Sequence, residues 1–212
     1  MNIEKLLILS PHTDDAELGA GGTIHKFLKN GVEIKWIVFS KCEASLQGMP
    51  KETLHKEFLN VMKLLKIKNH SFKVYDFPVR IFDRYRQEIL EILVKEKINF
   101  KPDLVIGPSL NDFHQDHHVI SNEMFRAFKN TSSILGYDLP WNNINTSSTY
   151  FEILSEDNIN FKEKMLSCYK SQLKKKRSYF NNNFIRKFAE LNGFLVNKKY
   201  AESFNVLKLI SE

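Results

Sequence analysis

Apolar residues along the chain fall into two alternating kinds of segment. Short aliphatic and β-branched runs occupy 6–9, 33–40, 71–76, 104–107, 133–137 and 149–153. Their length and composition predict strands. Longer segments at 18–30, 51–65, 84–97, 117–129, 158–170 and 183–195 carry apolar residues three and four positions apart and predict helices. Strand–helix alternation of this kind argues for βαβ units, hence an α/β fold with a mostly parallel central sheet covered by helices on both faces. No repeat, low-complexity segment or long linker interrupts the pattern, so 1–212 is expected to be a single domain. The stretch 141–148 is the most loop-like part of the second half. In open sheets of this class ligands gather at the carboxyl ends of the strands. Chemistry is therefore expected directly after the strand runs.

Composition narrows the class. With 42% hydrophobic and 26% charged residues the chain is of ordinary globular type. No apolar run approaches the ~18 residues of a membrane span, and the opening residues are not expected to act as a secretory signal. Two cysteines, Cys42 and Cys168, make neither a disulfide framework nor a CxxC pair. They are read as reduced packing residues of a cytoplasmic protein. The net charge of +6 comes mostly from Lys174-Lys175-Lys176-Arg177, near Lys170. That run reads as a solvated helix end, with a phosphate-bearing substrate or an anionic membrane surface as the functional alternatives. It comes without zinc-finger spacing or an RNP-like aromatic motif, so nucleic acid is not an expected partner.

Two segments carry the candidate chemistry. Pro11-His12-Thr13-Asp14-Asp15 follows the first strand and precedes Gly19-Ala20-Gly21-Gly22. Imidazole nitrogen and carboxylate oxygen are both good ligands for a divalent metal such as zinc. His12 and Asp15 can converge if the chain turns into a helix between them. Asp14 then stands near the ion but free of it, as a general base requires. The plainer reading is an aspartate capping the helix that follows. The glycines lack the GxGxxG order and sit behind an acidic cluster, so close packing of helix on sheet is preferred to phosphate binding.

The second segment, Asn111-Asp112-Phe113-His114-Gln115-Asp116-His117-His118, follows the fourth strand run and opens a helix; three of the seven histidines fall within it. His114 and His117 share a helix face. One can ligate a metal while the other stands where an oxyanion or a leaving amine would form. Asp116 can hold an imidazole in one tautomer. A one-residue error in register would exchange His117 with His118. His25, His55 and His70 read as surface or satisfied core histidines.

Together, Pro11-His12-Thr13-Asp14-Asp15, Glu17 and Gly21-Gly22-Thr23-Ile24 resemble the PHPDD…GG signature of the LmbE/PIG-L family of N-deacetylases, and His114-Gln115-Asp116-His117 resembles its HxDH motif. A looser likeness continues through Leu139-Pro140-Trp141-Asn142 to Tyr200-Ala201-Glu202-Ser203-Phe204. The resemblance implies a Rossmann-like fold and metal-dependent hydrolysis of an N-acetyl amide on an amino sugar. Family substrates include acetylglucosaminyl lipids, thiol precursors, antibiotic sugars and polysaccharide building blocks. It implies His12, Asp15 and His117 as metal ligands, with Zn2+ expected and Fe2+ an alternative. It makes Asp14 the general base, His114 the residue that stabilises the oxyanion or protonates the amine, and Asp116 the partner of His114. Thr13 departs from the family's usual proline and loosens the turn.

The partner implied is a small-molecule amino sugar or a glycoconjugate, and a homo-oligomer is compatible with the same features. Arg80 and Trp141 are candidate substrate contacts, with Arg86 and Glu202 behind them. Rivals are a different acyl group or non-sugar amide at the same metal site, and a non-catalytic sugar- or nucleotide-binding module.

Overall fold

The computed structural model describes residues 2–46, 48–143, 145 and 148–211. Positions 144, 146 and 147 of the expected loop lie outside the described residues. Among the described residues seven strands join in one sheet of order β3-β2-β1-β4-β5-β7-β6. In chain order they are β1 (Lys5–Ser10), β2 (Glu33–Val38), β3 (Phe72–Val74), β4 (Leu104–Pro108), β5 (Ser133–Tyr137), β6 (Tyr150–Leu154) and β7 (Tyr200–Lys208). The first five pair in parallel, and β7 runs antiparallel between β5 and β6. The helices are α1 (Asp15–Lys29), α2 (Thr53–Leu65), α3 (Arg86–Asn99), α4 (Gln115–Phe128), α5 (Glu156–Ser167), α6 (Lys170–Lys174) and α7 (Asn182–Leu195).

Alternation along β1 builds both halves of the core, because successive side chains leave opposite faces of a strand. Leu6 and Ile8 join Ile24, Phe58, Met62, Met165 and Leu166 of α1, α2 and α5 on one face. Leu7 and Leu9 join Ile89, Leu93, Ile120, Met124 and Phe128 of α3 and α4 on the other. The strand order reverses between β1 and β4, so their carboxyl ends flank the topological switch point. Both motif segments start there.

Two elements depart from expectation. The segment predicted as a helix over 158–170 is α5, capped one turn earlier by Ser155 and Asn158 in a reciprocal capping box, and then the separate short α6. The strand β7 carries no clean apolar alternation, because Glu202 and Ser203 are buried within it. Glu202, a softer candidate for substrate contact, is buried in the sheet and does not line the cleft described below. Helix α1 is kinked at Ala20 (φ −138°), and the Glu202 carboxylate accepts the Gly22 and Thr23 backbone N–H groups beyond the kink, at 2.9 and 2.7 Å. Buried Lys162 closes the arrangement 2.7 Å from Glu202.

The glycines do what close packing requires. A Cβ on Gly19 would lie 2.5 Å from the Tyr137 ring, and one on Gly22 would lie 2.5 Å from Leu154.

Candidate active site

The turn after β1 places His12, Asp14 and Asp15 at the head of α1, while the loop after β4 places His114 and His117 at the head of α4. His12 Nδ1 and His117 Nε2 are 3.2 Å apart, and Asp15 Oδ2 is 3.1 Å from each. Bonds of about 2.0–2.1 Å in a tetrahedral zinc site give ligand–ligand edges of about 3.3 Å. The triangle therefore has the size of one face of such a site.

The outward ring nitrogens agree. His12 Nε2 is 3.0 Å from Asp116 Oδ2, and His117 Nδ1 is 2.7 Å from Asp112 Oδ2. Histidines that ligate metals characteristically give their second N–H to a carboxylate. The donor set thus fits a divalent ion. The three imidazoles of His12, His114 and His117 also offer nitrogens within 4.8 Å of one another, a looser cluster that could hold a metal. The ring of His118 is exposed and takes no part in either group.

Asp14 occupies the cap position of α1, yet its side chain caps nothing, and Asp15 instead accepts the backbone N–H of His12 at 2.8 Å. The capping alternative thus does not describe Asp14, whose carboxylate lines the cleft beside the triangle.

Asp116 is placed differently from expectation. Its carboxylate serves His12 and accepts the Arg80 N–H at 2.7 Å, while His114 meets only its backbone N–H. The reason is helix geometry: Asp116 lies two residues into α4, where its N–H is an unsatisfied terminal donor that His114 Nδ1 accepts. With Nδ1 accepting, the neutral His114 ring carries its proton on Nε2.

Charge in the metal-free cluster follows from these contacts. Burial disfavours the His12 and His117 imidazoliums, but Asp15 and the second carboxylates outweigh it and lift the two rings to about 9 and about 10. Asp15 is buried too, yet the two histidines hold its carboxyl well below the usual range. Burial, and then the charge of Asp15, pushes Asp14 up to about 6. Burial and the neighbouring cations His117 and His12 press His114 down to about 4, so the ring is neutral. Burial also drives the Cys42 thiol well up, which suits a packing residue.

The cleft of about 220 Å³ over these groups is lined further by Arg80, Trp141, Asn142, Lys175, Arg177 and Tyr179. Arg80 and Trp141 thus reach the site. One face of Trp141 is taken by Tyr179, stacked at 4.0 Å. Arg86 does not reach it, being paired with buried Glu123 at 3.0 Å. Asp112 has no role assigned from sequence; the signal available was a further aspartate at the strand end, five residues before His117.

A family model described as PIG-L, GlcNAc-PI de-N-acetylase, matches residues 7–128, more than half of the chain and both motif segments. The chain belongs to the PIG-L (LmbE-like) family. Diacetylchitobiose deacetylase of Thermococcus kodakarensis is 26% identical over 131 residues, 55% of this chain and 46% of that protein. The chain thus aligns with about half the length of that relative. The N,N'-diacetylchitobiose deacetylase of Pyrococcus horikoshii superposes with a TM-score of 0.72 at 20% identity, covering 97% of this chain and 84% of that one. GalB of Pseudomonas putida, a 4-carboxy-2-hydroxymuconate hydratase, superposes with a TM-score of 0.74 at 16% identity over 99% and 98% of the two chains. The shared fold therefore leaves the reaction to be argued from the site.

Proposed function

We propose that this chain, as one domain over 1–212, is a metal-dependent hydrolase that removes the acetyl group from an N-acetylamino sugar of the N-acetylglucosamine type, free or within a glycoconjugate precursor. His12, Asp15 and His117 would hold the ion, with zinc the first choice and ferrous iron compatible with the same donors. The observation that carries the reading is the ligand-sized triangle backed by Asp116 and Asp112, with the uncapped carboxylate of Asp14 beside it. A module that only bound sugar would need neither this donor set nor a free carboxylate next to it.

When present, the ion supplies Lewis acidity at the reacting carbonyl. Asp14 accepts a proton from the attacking water as the oxygen–carbon bond forms, then delivers it to the nitrogen as the carbon–nitrogen bond breaks. The products are acetate and a free amine. His114, neutral with Nε2–H free of its backbone contact, donates a hydrogen bond to the tetrahedral oxyanion, a contribution of about 3–4 kcal/mol. Of its two expected roles this favours oxyanion stabilisation, since a neutral imidazole is a poor source of the amine's proton. Asp116 orients His12 rather than His114. Free thiols at Cys42 and Cys168 fit a reducing, cytoplasmic setting, and no described helix is long and apolar enough to cross a membrane.

The test is acetate release by zinc- or iron-loaded protein across free, nucleotide-linked, lipid-linked and glycosidic N-acetylamino sugars. The expected result is release that a chelator abolishes and that Asp14→Asn lowers by about 10²–10⁴-fold while retaining metal. No release above the Asp14→Asn blank, with metal bound stoichiometrically, would reject the reading.

A further inference from the structure

We infer that the substrate carries an anionic group, a phosphate or carboxylate on or next to the N-acetylated sugar, and that Lys175 and Arg177 receive it at the mouth of the cleft. This rests on the deacetylase reading and adds the substrate's charge to it.

The basic run is not a uniformly solvated helix end. Helix α6 stops at Lys174, and Lys176 takes a left-handed φ of 51°, which turns the chain. Half-buried Lys175 and exposed Arg177 consequently line the cleft together with His12, Asp14, His114 and His117, whereas Lys174 and Lys176 line no part of it. Two of the four charges of the run are thus turned toward the cleft.

Neither cleft cation is spent on a carboxylate among the described residues. Lys175 Nζ donates to the Ser45 carbonyl at 3.1 Å, one bond from a group with three donors. Arg177 donates to the Tyr179 hydroxyl, with its guanidinium 5.6 Å from that ring's centre. By contrast Lys26, Lys35, Lys41 and buried Lys162 each have a carboxylate within 3.1 Å. Glu57, the other carboxylate close to Lys175, is occupied by the Ser171 N–H and hydroxyl at 2.8 and 2.6 Å. Burial and then the nearby Arg177 charge lower the Lys175 pKa, with Asp14 and Glu57 opposing the shift.

The two carboxylates that do face the cleft, Asp14 and Asp15, are matched by the charge of a divalent ion. That leaves Lys175, Arg177 and Arg80, which all line the cleft, as the net charge presented to a ligand. Arg177 extends the aromatic wall made by Trp141 and Tyr179. A sugar ring lying along that wall would bring a substituent to the guanidinium, which suits phosphate and carboxylate geometry.

The deciding measurement is equilibrium binding by titration calorimetry on the metal-loaded Asp14→Asn protein, where slow turnover leaves ligands intact. The probes are the methyl glycoside of N-acetylglucosamine, its carboxymethyl glycoside and N-acetylglucosamine 1-phosphate. At least one anionic probe should bind about tenfold or more tightly than the methyl glycoside, and the two anionic arms tell carboxylate from phosphate. Adding Lys175→Gln and Arg177→Gln should bring that ratio close to one. Equal affinity for all three probes, or an anionic preference that survives the double substitution, would overturn the inference. Acetate release by the unsubstituted protein is read separately, so failure of the deacetylase reading and failure of this one remain distinguishable.

Discussion

His117 Nδ1 lies 2.7 Å from Asp112 Oδ2, and that contact fixes which nitrogen of His117 faces the ligand triangle. Asp112 is itself held, accepting the His114 N–H at 2.9 Å and the Asn142 side-chain amide at 3.4 Å. Asp112→Asn keeps the shape but replaces a strong acceptor for the imidazole N–H. Divalent-metal affinity should fall by about 10–100-fold, measured by competition with a chromophoric chelator. Unchanged affinity would mean that His117 does not face the ion through Nε2.

Glu202 and Lys162 form a buried pair whose carboxylate also caps the second half of α1. Removing one partner of such a pair leaves an uncompensated charge, at a cost of about 3–5 kcal/mol. Glu202→Ala should lose stability on that scale in urea unfolding. Lys162→Met combined with Glu202→Gln, which keeps one acceptor for the Gly22 and Thr23 N–H groups, should be more stable than Glu202→Ala. A double variant no better than the single would show that the charge pairing is not what Glu202 supplies.

The parallel half of the fold was legible because its central strands β1, β4 and β5 are buried on both faces and are largely apolar, Leu6-Leu7-Ile8-Leu9 above all. The motif residues were legible for a different reason. Their chemistry sits at strand ends, where a histidine among aspartates has no packing explanation. What the sequence concealed was polar burial. Glu202 in β7 serves a helix nearly two hundred residues earlier in the chain, so the strand that carries it lost its apolar signature. The partner of Asp116 was likewise hidden, because helix spacing brings its backbone to His114 while its carboxylate crosses to His12 on another segment.

Gly19 and Gly22 are both crowded, but by different neighbours. A Cβ at Gly19 would fall 2.5–2.8 Å from Cδ2, Cγ and Cβ of Tyr137, atoms close to the backbone of β5. Tyr137 is fully buried and its hydroxyl donates to the Leu9 carbonyl at 3.2 Å, so it has nowhere to move. A Cβ at Gly22 would meet chiefly the terminal Leu154 Cδ1, which can change rotamer. Gly19→Ala should therefore destabilise by about 1–3 kcal/mol and Gly22→Ala by less, as read from denaturant midpoints. The opposite order would mean that Tyr137 yields more easily than its contacts imply.

His25 gives the stability a component that depends on pH. Its ring is stacked on Phe161 at 3.9 Å, and its Nδ1 lies 3.1 Å from the Asn158 side-chain amide nitrogen. Asn158 Oδ1 already accepts from Ser155, so the amide nitrogen is the donor and His25 Nδ1 must stay unprotonated to receive it. Burial lowers the folded-state pKa of His25 below 6.5, with Asp157 opposing the shift and Lys29 and Lys164 adding to it. A depressed histidine pKa means the unfolded chain takes up the proton first as pH falls. The contribution is fully present above about pH 6.5 and is lost progressively from there down to the folded-state value. Unfolding free energies measured between pH 8 and 5 should fall more steeply for the unsubstituted protein than for His25→Gln. Parallel curves would show that protonating His25 costs the fold nothing.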